Sequence, residues 1–175
     1  AHRPISIGDD DRSRWGAPVS FVGTFESPRA GMILALARAG IAVRIWGNGW
    51  ARFQNKHPLM TIENRPVHGD DYRRVVAASA VNLCFLRHAN RDLQTCRSIE
   101  IPAMGGFMVH EHSGEMASLI APDREAVYFR DGGELVDRCR AWLQDARREA
   151  VAAAGHRRVT EGGFSHGARW RTILG

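Results

Sequence analysis

Two carboxylates eight residues apart, in Asp92-Leu-Gln-Thr-Cys-Arg-Ser-Ile-Glu100, are the residues of this chain best placed to do chemistry. The segment continues through Ile-Pro-Ala-Met to Gly105-Gly106. It therefore reads as a polar loop entering a short helix, which packs through Ile99 and Ile101 and stops at a glycine pair. An acid at a strand-to-helix edge holds the vicinal hydroxyls of a ribose, and Glu100 is the candidate for that task. Arg97 shares a helix face with Glu100. It can neutralise a diphosphate or simply pair with Glu100.

A second segment, Gly23-Thr-Phe-Glu-Ser-Pro-Arg29, leaves an apolar strand through a glycine and enters a helix. Free backbone amides and the positive helix end suit a phosphate there, with Arg29 adding a bidentate contact. The bland alternative gives Gly23 a tight turn and leaves Arg29 solvated. The segment is neither Gly-x-Gly-x-x-Gly nor a Walker loop, which disfavours dinucleotide and P-loop chemistry. His110, Glu111, His112 and Glu115 bunch together, but a metal would need a compact cage, and no metal is expected. Trp46 and Trp50 flank Gly47-Asn48-Gly49 and are read as core rather than as a sugar platform. Asp70-Asp71 is assigned to the cap of the next helix. No Ser-His-Asp or Cys-His arrangement shows in the spacing.

Alternating elements position these segments. Strands are expected at 19–24, 42–46, 60–62, 80–86, 107–110 and 126–129. Between them come a helix capped by Ser27 with Pro28 at its first position and closed by Gly40, then helices at 71–79, 96–104 and 115–120. Asp131-Gly-Gly-Glu134 starts a helix to 147 in capping-box fashion. A helix follows at 150–160, and residues 164–174 form a terminal helix. The pattern is α/β: a Rossmann-like, doubly wound parallel sheet of about six strands in one domain, 1–175. With the strand order 3-2-1-4-5-6, the crevice opens between strands one and four, and the two chemically loaded loops form its lips.

Composition bounds the rest. The chain has 175 residues, 44% hydrophobic and 25% charged, which is enough for one globular core. No apolar run approaches the roughly 18 residues of a membrane span. The start, Ala-His-Arg-Pro-Ile, lacks a signal-peptide pattern and does not begin with Met, so a piece of a longer chain is expected. Three cysteines without paired spacing point to a reducing cytoplasm and no zinc. The net charge is +5, but the arginines are scattered among acids on late helices. That is a solvated face rather than a nucleic-acid track, so nucleic acid is not expected as a partner.

Taken together the motifs resemble a family. Asp92-x7-Glu100 is similar to the Glu-x7-Glu motif of retaining, GT-B-fold glycosyltransferases, and residues 21–31 are similar to their donor-phosphate loop. Val19–Gly23, Ile45-Trp-Gly-Asn-Gly-Trp50, Arg97–Gly106 and the run from Tyr128 to Leu135 resemble the spore-maturation-protein-like (CgeB-type) glycosyltransferases, over nearly the whole chain. The resemblance implies a bacterial, cytoplasmic enzyme using a nucleotide-diphosphate sugar, without metal or other cofactor, on an unknown acceptor. It implies that Glu100 contacts the ribose, that Asp92 lies near the donor sugar, and that Gly23, Thr24, Arg29 and Arg97 surround the diphosphate. The base would rest on backbone near Arg65-Pro66-Val67. It also implies that the chain is only the C-terminal, donor-binding half, with the N-terminal GT-B domain missing. The family's two phosphate-loop cations are replaced by Thr24 and Ala30. That departure leaves open a non-catalytic interaction module descended from such an enzyme.

Overall fold

Every strand of the sheet is short and most strand residues are buried on both faces, as expected of parallel strands covered by crossover helices, although the strand at 60–62 leaves Thr61 exposed. A computed structural model describes residues 3–87 and 91–162. The elements run α1 (Asp9–Trp15), β1 (Ala17–Val22), α2 (Ser27–Arg38), β2 (Val43–Trp46), a 3-10 turn (Ala51–Phe53), β3 (Met60–Ile62), α3 (Gly69–Ala78) and β4 (Ser79–Cys84). Then come α4 (Cys96–Ala103), β5 (Met108–Glu111), α5 (Gly114–Leu119), β6 (Val127–Phe129), α6 (Gly132–Gln144) and α7 (Arg148–Glu161). The expected terminal helix at 164–174 lies outside the described residues.

All strand pairs are parallel, in the order β3-β2-β1-β4-β5-β6. Strands β1 and β4, far apart in sequence, pair directly with Val19 beside Val81 and Phe21 beside Leu83. The chain winds outward from this pair in both directions, so the loops after β1 and β4 diverge above it and leave a crevice. Alternate side chains build two cores. One holds Phe21, Ile45, Leu83 and Phe129 under α2 and α6, and the other holds Trp46, Cys84, Met108 and Tyr128 under α3, α4 and α5.

Several local expectations change. The cap of α2 is Glu26 rather than Ser27, and its carboxylate pairs with Arg29 instead of capping an amide. Asp70 and Asp71 do not cap α3, whose N-cap is His68; they lie in its first turn and pair with Arg73 and Arg74 at 2.7 and 3.2 Å. Strand β4 ends at Cys84, and the chain continues to Leu86 without further pairing. Helix α1 has no counterpart among the expected elements. Its sequence DDDRSRW offers a single apolar residue, Trp15, too little for a helical period, yet three acids in the first turn and two arginines in the last suit the helix dipole. Among the described residues no helix is long and apolar enough to cross a membrane.

Candidate functional site

The lip after β1 is set by an interlock with the end of β2. Gly23 donates its amide to the Trp46 carbonyl at 2.8 Å, and Phe25 donates to the Asn48 carbonyl at 2.9 Å. Gly47 sits at φ 146°, and a Cβ there would overlap the Gly23 carbonyl. The Trp50 indole N–H donates to that same carbonyl oxygen at 2.8 Å. Both tryptophans are fully buried, which fits their expected core role, but Trp50 also aims the Gly23-Thr24 lip. Trp50→Phe keeps an aromatic ring but removes the donor and leaves part of the indole's buried volume empty. It should cost at least about 1–2 kcal/mol in a urea titration, because a buried carbonyl loses a partner and a void adds to the loss. An unchanged midpoint would show that the indole bond adds nothing.

Arg29 lies on the first turn of α2 and is 7% exposed. Its guanidinium donates to the Thr24 carbonyl at 3.3 Å and the Leu86 carbonyl at 3.2 Å, and it pairs with Glu26 at 2.8 Å. The residue expected to reach out to a phosphate is therefore turned inward, joining the β1 lip to the end of β4. From the other side, the Glu111 carboxylate accepts the Leu86 amide at 2.9 Å. The Leu86 peptide is thus clasped at both its oxygen and its nitrogen. Burial holds the Arg29 pKa below the ordinary guanidinium value; Glu26 opposes that shift, while Arg87 and Arg97 reinforce it. Arg29 and Arg87 share the Glu26 carboxylate, at 2.8 and 3.5 Å, which brings two guanidiniums to this edge.

The lip after β4 carries Asp92, Arg97 and Glu100. Asp92 donates its amide to the Arg87 carbonyl at 3.3 Å, and Ser113 Oγ donates to the Leu93 carbonyl at 2.6 Å, so the acid sits on a braced loop. Thr95 caps α4, and its amide donates to Ser98 Oγ at 3.0 Å. Arg97 and Glu100 do not form an ion pair with each other. Burial pushes the Tyr72 phenol of α3 up, the Glu100 charge adds to that and the Arg97 charge opposes it. The Arg97 Nε is shielded from solvent and has no hydrogen-bond partner among the described residues. It lines a small cleft with Ser20, Val22, Tyr72 and Asn82.

Arg65 and Val67 follow β3 at the same carboxyl edge of the sheet. The Arg65 carbonyl accepts the Gly47 amide at 2.9 Å, and its guanidinium lies over the Trp15 ring at 5.2 Å from the centroid. Val67 is buried. The structure therefore gathers Gly23, Thr24, Arg29, Asp92, Arg97 and Glu100 around the β1–β4 crevice and sets Arg65 and Val67 at its β2 side. It adds Arg87, which the sequence reading missed, and gives roles at the lips to Trp50 and Glu111, which that reading had assigned to the core and to a histidine-rich cluster. Arg87 follows a strand directly and was legible by position; Glu111 was masked by its reading as one of a histidine-rich cluster. Among the described residues no group of three or more His, Cys, Asp and Glu side chains could hold a metal ion.

Comparison with known proteins follows the same lines. Residues 29–175 match the family described as glycosyl transferase-like. Among solved structures, the C-terminal domain of a glycosyl transferase group 1 family protein (LpcC) from Francisella tularensis superposes with a TM-score of 0.70 at 10% identity, over 91% of this chain and 94% of that one. Sucrose-phosphate synthase from Thermosynechococcus elongatus gives 0.70 at 18% identity, over 98% of this chain and 49% of the synthase. HepE from Anabaena, in complex with UDP and glucose, gives 0.66 at 12% identity, over 89% of this chain and 48% of HepE. The chain spans about half the length of these last two proteins. A search of curated proteins found no match. At these identities the superpositions show the fold: a Rossmann-like α/β domain like the C-terminal domains of GT-B proteins.

Proposed function

The chain belongs to the glycosyl transferase-like family, and from that premise we propose that it is the donor-binding domain of a glycosyltransferase. Its donor is a nucleotide-diphosphate sugar. The observation that carries this reading is the β1–β4 crevice itself, whose lip after β4 bears Arg87, Asp92, Arg97 and Glu100, with Arg87 and Arg29 sharing Glu26 across it. Loops at the carboxyl ends of a doubly wound sheet, where the strand order reverses, are where such folds take nucleotides.

In this reading the α4 amides and the exposed side of the arginine cluster receive the diphosphate. Glu100 accepts hydrogen bonds from the ribose hydroxyls. Asp92 lies near the sugar, and the backbone at Arg65 and Val67 supports the base. Neutralising the departing diphosphate is the main electrostatic contribution this half can make to transfer. Transfer itself, to an acceptor of unknown class, falls to the full GT-B enzyme with its N-terminal domain, without metal and with retention at the anomeric carbon. HepE, of matching fold, binds UDP-glucose, which supports the donor class.

One observation favours a second reading, a non-catalytic interaction module. The guanidinium nearest the β1 lip is used internally, and Thr24 and Ala30 offer no replacement charge. Calorimetric titration with nucleoside diphosphates and their sugars decides between the two. Saturable binding to one base, weakened roughly 10- to 100-fold in Glu100→Ala, is the expected result, since a hydrogen bond to a charged group contributes about 1.5–3 kcal/mol. Silence across the panel from the protein carrying both GT-B halves would leave the second reading standing.

A further inference from the structure

We propose that His110 is a positioning residue for the donor site, fixing the first turn of α4 through Ser98. The inference rests on the reading of that turn as part of the nucleotide site. His110, on β5, stands in register with Cys84 on β4. His110, Cys84 and Ser98 are all fully buried. A strand position in this core is otherwise filled by apolar side chains such as Met108, and burying an imidazole is costly unless both nitrogens are satisfied.

Here both are, and the pattern has only one direction. Nδ1 faces the Glu111 carbonyl, which can only accept, so Nδ1 carries the hydrogen. In the neutral ring Nε2 then accepts from Ser98 Oγ, 2.7 Å away. The Ser98 hydroxyl, its hydrogen committed to the imidazole, offers lone pairs to the Thr95 amide at 3.0 Å. Thr95 is the N-cap of α4, and the helix it opens carries Arg97 and Glu100. On the far side, the Glu111 carboxylate holds the Leu86 amide, and the Leu86 carbonyl holds Arg29. One polar chain therefore ties the β4–α4 lip to the β1 lip through the middle of the core.

The groups around the ring are Cys84 from β4, Ser98 from α4, the adjacent Glu111, and Tyr128 from β6, whose ring centroid lies 5.7 Å away. Burial opposes a charge on the imidazole, while Cys84 and Glu111 favour it, and the net direction is upward. Protonation would put a hydrogen on Nε2 and make Ser98 accept from both sides, still holding Thr95. The anchoring of α4 therefore survives either charge state, and its weak point is removal of a nitrogen or the hydroxyl.

The test titrates the protein with UDP, GDP and ADP as probes, comparing wild type with Ser98→Ala, His110→Leu, their double variant and His110→Gln. Ser98→Ala and His110→Leu should each raise Kd for the bound probe roughly tenfold, because misplacing positioning groups by a fraction of an ångström is costly. The double variant should be no worse than either single one, since both break the same chain. His110→Gln, which keeps a polar group for Ser98, should recover most of the affinity. Imidazole nitrogen shifts should report hydrogen on Nδ1 in the neutral wild type. Unchanged binding in Ser98→Ala and His110→Leu, additive losses, no recovery with glutamine, or the opposite tautomer would overturn the inference alone. A wild type carrying both GT-B halves that binds no probe would overturn the donor reading and this inference with it. If His110→Leu does not fold, Ser98→Ala against His110→Gln decides.

Discussion

Gly47→Ala is expected to destabilise the protein by about 3 kcal/mol or more, the range reached when strain and steric overlap coincide. Two independent costs meet at this position. The backbone is held at φ 146°, which L side chains rarely adopt, and the added methyl would overlap the Gly23 carbonyl. Neither cost can be relieved locally. The Gly47 amide is committed to the Arg65 carbonyl at 2.9 Å, the Gly23 amide to the Trp46 carbonyl at 2.8 Å, and the Gly23 oxygen to the Trp50 indole. Moving Gly47 would therefore disturb the ends of β1, β2 and β3 together. Nucleotide affinity should fall along with stability, because the Gly23-Thr24 lip is one of the parts displaced. A urea midpoint within error of wild type would show that the strand ends yield more easily than this network implies. Gly40, also at positive φ but with open space around it, is the control: alanine there should cost only the backbone strain, about 1 kcal/mol.

This contrast also explains what was legible in the sequence. The doubly wound parallel class follows from alternation and apolar runs; the strand order rests on the usual one for that class, and the β1–β4 crevice with its converging loops comes with it. Gly23 and Gly47 were visible as turn residues, but their mutual approach depends on two strands packed side by side, which no local spacing encodes. Helix α1 was illegible because it is held by burial of its one apolar residue, Trp15, against distant parts of the chain, with Arg65 over the ring and Arg74 near Asp11, all long-range contacts. His110 illustrates the opposite failure. Its proximity to Glu111 and His112 in sequence suggested ligation and was set aside, yet its partner is Ser98, twelve residues upstream. The Thr95–Ser98 pair could have been read as a cap, but Ser in place of Glu or Gln at the third position departs from the usual capping-box pattern.

Arg29 should prove to be a clamp rather than a phosphate ligand, and stability and binding separate those roles. Arg29→Met preserves most of the stem that packs near Phe21, where the guanidinium lies 5.6 Å from the ring centroid. It removes the donors to two carbonyls and leaves Glu26 with only its longer contact to Arg87. Losing a buried charge-assisted network of this kind costs about 3 kcal/mol. Arg29→Lys should recover little of it, because one ammonium cannot span Thr24, Leu86 and Glu26 as the planar fork does. A phosphate ligand would behave differently: lysine would retain part of the affinity, and neither change would move the unfolding midpoint much. Arg87 provides the complementary case. It is 56% exposed and its pairing with Glu26, at 3.5 Å, is the sort of surface contact that contributes little to folding. Arg87→Ala should leave stability within about 0.5 kcal/mol and still weaken diphosphate binding, because its charge faces the crevice. Parallel urea titration and calorimetry on the three variants tests the division. If Arg29→Met unfolds at the wild-type midpoint, the clamp is wrong, and the inward contacts are a resting arrangement that an arriving diphosphate displaces.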